Sequence, residues 1–302
     1  MRRLLVFALV GLGAQLVDGA LGMGYGVTST TLLLLAGLTP AAASASVHFS
    51  ELGTNIASGL SHWRLRNVDW RVVARIALPG AIGAFLGATV LSSLSTEAAV
   101  PIMSAILIVL GIYILARFII GFQLRLSAKA PTLKFLAPLG VFAGFIDATG
   151  GGGWGPVATP VLLADGRLEP RRVVGTVDTS EFAVSAAASI GFLIGLGAAG
   201  INWGFALALL VGGVIAAPLA AYLVKVAPAH LLGVAVGGII LLTNARTLFR
   251  TYEVDGTIRI VTYVAILLVA AIGIYVAALR ARRRAAIESD TAAEPVVEDT
   301  RA

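Results

Sequence analysis

Long apolar stretches separated by short polar or charged breaks dominate this chain. Most are about 18 to 25 residues long, the length that a helix needs to cross the hydrocarbon core of a bilayer. They do not alternate over about 10 residues, as the strands of a membrane barrel do. The pattern predicts an all-α polytopic membrane protein with segments near residues 3–36, 41–61, 72–94, 98–121, 134–164, 172–198, 203–224, 229–249 and 258–280.

The first and fifth segments are longer than the others, and glycine-rich runs interrupt them at residues 19–26 and 150–156. Each glycine in a helix costs about 1 kcal/mol relative to alanine, and Pro156 lacks an amide donor. We therefore expect each of these segments to be a broken helix.

The two broken segments belong to an internal duplication, because residues 11–51 recur in residues 140–181 in the same order and with nearly the same spacing. The matched positions in the first copy are Gly11, Asp18, Gly22, Gly24, Tyr25, Gly26, Thr30, Pro40, Ser50 and Glu51, and in the second copy Gly140, Asp147, Gly151, Gly153, Trp154, Gly155, Thr159, Pro170, Ser180 and Glu181. Two alike halves with acids in apolar surroundings favour a transporter.

The duplication predicts a first transmembrane repeat at residues 1–121 and a second at 134–250, each of four segments. An inter-repeat loop at 122–133, an additional C-terminal transmembrane helix at 251–284 and a disordered acidic tail at 285–302 complete the expected organisation. A hydrophobic content of 58%, a charged content of 13% and a mean hydropathy of +0.93 exclude a soluble globular domain. We expect a multi-pass protein of the cell membrane.

The net charge of +6 comes from arginines in short loops and at the chain ends, as in cytoplasmic topology signals. Arg2 and Arg3, the arginine-rich loop at 64–75, the Arg125 and Lys129 loop and the cluster at 280–284 all predict a cytoplasmic location. If both termini lie in the cytoplasm, the chain crosses the membrane an even number of times. We therefore expect either that one glycine-broken segment is re-entrant or that two half-helices are miscounted as crossings. Whether the repeats are inverted stays open.

Polar residues in the second segment follow one helix face at steps of three and four. They are Ser44, His48, Glu51, Asn55, Ser58 and His62, and the second copy has Val174, Asp178, Glu181, Ser185, Ala188 and Phe192 at these positions. A carboxylate within a bilayer faces the bundle interior or a water-filled cavity, because exposure to lipid costs several kcal/mol. Glu51 and Glu181 are therefore candidates for substrate or proton handling. The alternative is that they cap a half-helix or bond a glycine-loop amide.

Four further residues are candidates for proton coupling beside these glutamates. Asp18 and Asp147 precede the glycine runs, where an aspartate either titrates or caps a helix. His48 lies one turn from Glu51, and Asp178 has the equivalent place in the second copy. An imidazole there either relays protons or is satisfied by a backbone carbonyl.

The glycine runs lack the lysine of a phosphate-binding loop, so a nucleotide site is excluded. A broken membrane helix instead points free amides and a positive dipole at the bundle centre, which favours an anionic guest. Tyr25 and Trp154 either donate to that guest or pack as aromatic side chains. The candidate substrate-binding residues are Gly22, Gly24, Tyr25, Thr30, Gly151, Gly152, Gly153, Trp154, Thr159, Ser50, Asn55, Ser180 and Ser185.

No enzyme site is predicted. There are no cysteines, and the three histidines do not have the spacing of a zinc site. No Ser/His/Asp arrangement accompanies an oxyanion loop. We expect no cofactor and no metal. The expected partners are a small anion, protons and the lipid bilayer, without nucleic acid, and a homo-oligomer stays open.

Residues 5–280 resemble the TauE/SafE family of membrane transporters. The resemblance is carried by the duplicated halves, by the glycine runs Gly22–Gly26 and Gly150–Gly155, and by the Ser-Glu pairs that end at Glu51 and Glu181. It implies proton-coupled movement of sulfite, a sulfonate or a related small anion through a midplane site. The alternative is a passive small-anion channel at the same site. No arginine or lysine lies at the centre of an apolar segment, so backbone amides and hydroxyls would have to hold an anion.

Overall fold

A computed structural model of the chain describes residues 2–120, 131–165, 167–223 and 229–293. This part of the chain is helical throughout and contains no strand. One short 3₁₀ turn, Ala198–Gly200, precedes α9. The α-helices are α1 Arg2–Leu21, α2 Tyr25–Leu35, α3 Pro40–Arg64, α4 Trp70–Ser93, α5 Thr96–Ile120, α6 Leu133–Gly150, α7 Trp154–Asp165, α8 Pro170–Leu196, α9 Trp203–Leu223, α10 Ala229–Thr251 and α11 Gly256–Ala293.

The two glycine-rich segments are broken helices, as predicted. The first divides into α1 and α2, and the fifth divides into α6 and α7. Gly24 and Gly152 have φ angles of 126° and 140°, which side chains other than glycine rarely adopt. The glycines of the sequence therefore favour both breaks. Because two of the nine apolar segments are divided, the described residues form eleven α-helices.

Six described helices are long and apolar enough to cross a bilayer, which supports the predicted multi-pass membrane protein. They are Trp70–Ser93, Thr96–Arg117, Leu133–Gly150, Pro170–Leu196, Trp203–Ala220 and Gly256–Val276. Helix α3 lies among them in the bundle, although its buried polar face lowers its hydropathy.

Close helix pairs form the centre of the bundle: α1 packs on α9, α4 on α6, α3 on α8 and α5 on α10. The first two pairs run parallel. In the α1 and α9 pair, Gly11 lies against Leu209, and further along Gly19 lies against Ala220. Small residues at these contacts let the helix backbones approach closely.

Helices α3 and α8 run antiparallel. Asn55 meets Ser185, while Gly59, one turn further along α3, meets Thr179, which precedes Ser185 on α8. Helices α5 and α10 are also antiparallel, with Gly111 against Leu241 and Leu115 against Gly237. Elements that correspond to each other in the two copies therefore point in opposite directions.

Each broken segment folds into a re-entrant hairpin. The start of α1 and the end of α2 line one groove, with Val6 beside Leu35. At the other hairpin, the Arg167 guanidinium, which follows α7, lies 6.0 Å from the ring centre of Phe135 at the start of α6. We call the side where α1 begins the N-terminal side, and the side where α6 begins the opposite side.

Both broken segments return to the side they enter from, so the ends of the described chain lie on different sides. Helices α3, α4, α5, α8, α9, α10 and α11 each run from one side to the other. The charge pattern led us to expect one re-entrant segment, and this arrangement of the bundle has two.

Helix α11 lies at the edge of the bundle and packs on α10 and α5, with most of its surface exposed. It continues to Ala293, past the predicted start of the disordered tail at residue 285, because alanine and charged residues extend the helix. Residues 294–302 lie outside the described residues, as do positions 121–130 of the inter-repeat loop with Arg125 and Lys129.

Candidate functional site

The two glycine breaks meet inside the bundle. Thr159 Oγ1 donates a hydrogen bond of 2.7 Å to the Gly22 carbonyl oxygen. The equivalent Thr30 donates in the same way to the Gly151 carbonyl oxygen. Gly26 lies against Gly152 so closely that a Cβ on Gly152 would overlap backbone atoms. Four predicted substrate-binding residues, Gly22, Thr30, Gly151 and Thr159, thus join the two hairpins.

Asp18 and Asp147 cap the second halves of the broken helices. Asp18 Oδ1 accepts a hydrogen bond of 3.2 Å from the Tyr25 amide. Asp147 Oδ1 accepts bonds of 2.6 and 2.9 Å from the amides of Gly153 and Trp154. The aspartates therefore occupy the amides of Tyr25, Gly153 and Trp154, three of the amides that were expected to face an anion.

A first buried group, the histidine cluster, consists of His48, Glu51 and Asp147. His48 Nδ1 lies 2.9 Å from Glu51 Oε2 and 3.8 Å from Asp147 Oδ2. Ser185 Oγ donates to Glu51 Oε2 at 3.0 Å, and Asn55 Nδ2 lies 3.5 Å from that hydroxyl. Both carboxyl groups thus face the same ring nitrogen, Nδ1, whereas Nε2 has no hydrogen-bond partner among the described residues.

A second group, the carboxylate cluster, consists of the buried Asp18 and Asp178 and the half-buried Glu181, whose donor atoms lie within 4.8 Å of one another. Neither carboxylate oxygen of Asp178 has a hydrogen-bond partner among the described residues. His62 Nε2 lies 3.9 Å from Asp178 Oδ2. Three carboxyl groups at these separations and with little contact with water ionise together only if a positive charge is bound beside them.

The two clusters are equivalent in the duplicated sequence. Glu51 and Glu181 correspond, as do His48 and Asp178, and Asp147 corresponds to Asp18. Each cluster takes two residues from the crossing helix of one copy and one aspartate, Asp147 or Asp18, from the broken helix of the other. Sequence spacing did not reveal this assembly, because these aspartates are far from the other members along the chain. Each donor set is also compact enough to hold a cation, which the sequence did not predict.

The remaining predicted substrate residues mainly bond within the protein. The Tyr25 hydroxyl lies 3.0 Å from Ser50 Oγ, and Trp154 Nε1 donates to the Val177 carbonyl oxygen at 3.0 Å. Ser180 Oγ donates to the same carbonyl at 2.8 Å. Tyr25 and Trp154 are also almost fully buried. Aromatic packing, the alternative weighed from the sequence, describes both in this conformation.

A cleft of about 410 Å³ lies between α3, α4 and α8. Asn55 and Ser180 line its inner part, and Trp63 and Trp70 line it near the helix ends on the opposite side. Its volume suits a small molecule. Sequence reasoning assigned Asn55 and Ser180 to the substrate but missed Thr179, another lining residue, which lies between recognised positions.

The equivalent region on the N-terminal side is filled. The rings of Phe49 and Trp203 lie 4.7 Å apart between centroids, and Leu210 packs against Gly53. The corresponding residues at the cleft are smaller: Thr179 replaces Phe49, and Ala77 replaces Leu210. The cleft thus lies at positions whose equivalents in the other half of the duplication, Phe49 and Leu210, are closely packed.

Comparisons with known proteins agree with a transport site. Residues 7–247 match the family profile described as "Sulfite exporter TauE/SafE", which leaves α11 outside the match. The chain is similar to the "Probable membrane transporter protein YtnM" of Bacillus subtilis (strain 168), with 53% identity over 268 residues that cover 88% of this chain and 89% of the relative. No solved structure matches. Both descriptions name transporters, and neither names an enzyme or a channel.

Proposed function

Because the chain belongs to the sulfite exporter TauE/SafE family, we propose that it is a proton-coupled secondary transporter of a small anion such as sulfite or a sulfonate. One observation carries the proposal. Two equivalent clusters of ionisable side chains, His48/Glu51/Asp147 and Asp18/Asp178/Glu181, lie where two broken helices meet, and all of them except the half-buried Glu181 are buried. Ionisable groups inside a membrane protein mark ion and proton pathways.

The charge of the site supports coupling to protons. No lysine or arginine is among the fully buried residues that the structure describes, whereas the acids Asp18, Glu51, Asp147 and Asp178 are buried. An anion is repelled from ionised carboxylates at close range in a medium of low dielectric constant. Protonation of the clusters removes that repulsion. The anion therefore binds the protonated site, and protons and anion cross together.

The arrangement of the copies supports alternating access. Corresponding helices point in opposite directions, as in transporters whose inverted repeats enclose a midplane site. The cleft is open beside Thr179 and Ala77, while Phe49 and Leu210 fill the equivalent region. If the residues around Thr179 and Ala77 packed closely while those around Phe49 and Leu210 separated, the site would close on one side and open on the other.

The charges near the helix ends support an orientation. Described basic residues near the opposite side are Arg64, Arg66, Arg71, Arg75, Lys134, Arg167, Arg171 and Arg172, and those near the N-terminal side are Arg2, Arg3, Arg246, Arg250 and Arg259. Positive loops stay preferentially in the cytoplasm. We therefore place the opposite side, and with it the open cleft, toward the cytoplasm.

Transport assays in proteoliposomes test the proposal. Purified protein is tested with sulfite, thiosulfate, small sulfonates and small carboxylates under an imposed pH gradient. We expect at least one compound to accumulate above its electrochemical equilibrium. Glu51→Gln and Glu181→Gln should each lose that accumulation, while Glu97→Gln, which alters an exposed glutamate at the start of α5, should keep it.

Two outcomes contradict the proposal. Flux that runs only down the electrochemical gradient of the anion would identify a passive channel. Accumulation at the wild-type rate in the double variant Glu51→Gln/Glu181→Gln would remove both glutamates from the coupling.

A further inference from the structure

His62 is a buried histidine in the last turn of α3 and belongs to neither of the two clusters. Only 1% of its surface is exposed. Its Nε2 lies 3.9 Å from Asp178 Oδ2 and has no hydrogen-bond partner among the described residues. On the other side of the ring, Asn67 Nδ2 lies 3.4 Å from Nδ1. The imidazole therefore stands between the carboxylate cluster and the half-buried loop that follows α3.

The contact with Asn67 sets the tautomer of the ring. An amide NH₂ donates, so Nδ1 accepts and neutral His62 carries its hydrogen on Nε2, which faces Asp178. A separation of 3.9 Å is longer than a hydrogen bond, so a side-chain shift of about 1 Å precedes proton transfer. The ionisable groups beside the ring are Asp178 and, behind it in the cluster, Asp18 and Glu181.

The second copy has Phe192 at the position equivalent to His62. Its ring stacks on His48 with 5.8 Å between centroids, and it is fully buried. His62 lies near the end of α3 on the opposite side, and Phe192 lies near the end of α8 on the N-terminal side. The carboxylate cluster therefore has a titratable neighbour toward the cytoplasmic loop, whereas an apolar ring covers the histidine cluster toward the N-terminal side.

We infer that His62 is a proton relay between the carboxylate cluster and the opposite side, and that Phe192 blocks the equivalent route on the N-terminal side. A hydronium ion gives a proton to Nδ1 when Asn67 turns away, which leaves water and makes the ring an imidazolium. Nε2 then gives its own proton to ionised Asp178 at Oδ2 and leaves a neutral ring with its hydrogen on Nδ1. A ring flip, which brings that N–H to the side of Asp178, restores the starting arrangement. The inference rests on the proton coupling proposed above and names the path by which one side loads the site.

A pH-jump measurement tests the relay without any knowledge of the substrate. The protein is reconstituted with its opposite side facing the medium, and time-resolved infrared spectroscopy follows carboxyl protonation after acidification. Asp178→Asn assigns the band of that residue. His62→Phe copies the residue of the second copy, and His62→Gln keeps a polar side chain that does not titrate. Ser61→Ala is the matched control, because its hydroxyl donates to the Ala57 carbonyl oxygen at 2.8 Å in the same helix.

We expect protonation of Asp178 to slow by on the order of tenfold or more in both His62 variants and to stay unchanged in Ser61→Ala. The wild-type rate in folded His62→Phe and His62→Gln would overturn the relay while proton coupling stands. If the wild-type clusters do not titrate between about pH 5 and pH 8, the proton coupling itself fails. The unfolding temperature of each variant separates a lost relay from a lost fold.

Discussion

Thr159 donates a hydrogen bond of 2.7 Å to the Gly22 carbonyl oxygen and so joins the second copy of the duplicated sequence to the first. The equivalent bond runs from Thr30 to Gly151. Each bond satisfies a carbonyl that a broken helix leaves without its regular partner inside the bundle. The two hairpins thus stabilise each other at their glycine breaks, where a separate broken helix would lack these hydrogen bonds.

Replacement of Thr159 by valine should destabilise the protein. The change keeps the side-chain shape but leaves the buried Gly22 carbonyl without a donor, at a cost of about 1–3 kcal/mol. Thermal unfolding in detergent measures the effect. Thr28→Val is the control, because its buried hydroxyl has no partner and its loss should be neutral or stabilising. Equal unfolding temperatures for Thr159→Val and wild type would contradict this role.

Replacement of Gly152 by alanine should prevent the two hairpins from meeting. Gly152 has a φ of 140°, and an added Cβ would overlap the backbone at Gly26 and Val27. We expect a large loss of folded protein in size-exclusion chromatography. Gly13→Ala adds a methyl group where no atom lies nearby and should fold normally. Normal folding of Gly152→Ala would show that the hairpins do not need this close contact.

Two variants of Asp147 should separate capping from proton handling. Asparagine retains an oxygen that accepts from the amides of Gly153 and Trp154, but its side chain does not take up a proton near neutral pH. Asp147→Asn should therefore keep the unfolding temperature and lose pH-driven accumulation. Asp147→Ala should lose both, with a stability cost of about 1–2 kcal/mol for the missing cap. Full accumulation by Asp147→Asn would restrict this residue to capping.

Cysteine labelling should report which side is open. The chain has no cysteine, so each introduced thiol is the only one. Thr179 lines the cleft and is half-buried, whereas Ser185 on the same helix is fully buried beside Glu51. We expect a membrane-impermeant maleimide to label Thr179→Cys from the cytoplasm and to leave Ser185→Cys unlabelled. Faster labelling of Thr179→Cys from outside would reverse the orientation.

Much of the fold is readable from the sequence, because hydrophobic length and glycine spacing act locally. The glycine-rich run at residues 19–26 predicted a helix break, and the structure confirms one within it, between Leu21 and Tyr25. The direction of the repeats was not readable, since it depends on whether each broken helix returns to its own side. Charge counting did not resolve the topology either, because Arg2 and Arg3 lie near one side of the bundle and the arginine-rich loop at 64–75 lies near the other.

The sequence identified the residues of the candidate site but not which of them lie close together. The stripe on α3 identified His48 and Glu51, and the duplication identified Asp147. Their association needs the two hairpins to cross, which no spacing along the chain encodes. The same stripe included His62 but did not show its neighbour, and the structure buries it beside Asp178.

Proton movement driven by the substrate tests the central claim most directly. A gradient of the transported anion is imposed across proteoliposomes that contain a pH-sensitive dye, without any initial pH difference. The account predicts acidification of the compartment that the anion enters, and loss of this signal in both Glu51→Gln and Glu181→Gln. Transport of the anion by the wild-type protein without any pH change would contradict proton coupling at the two clusters.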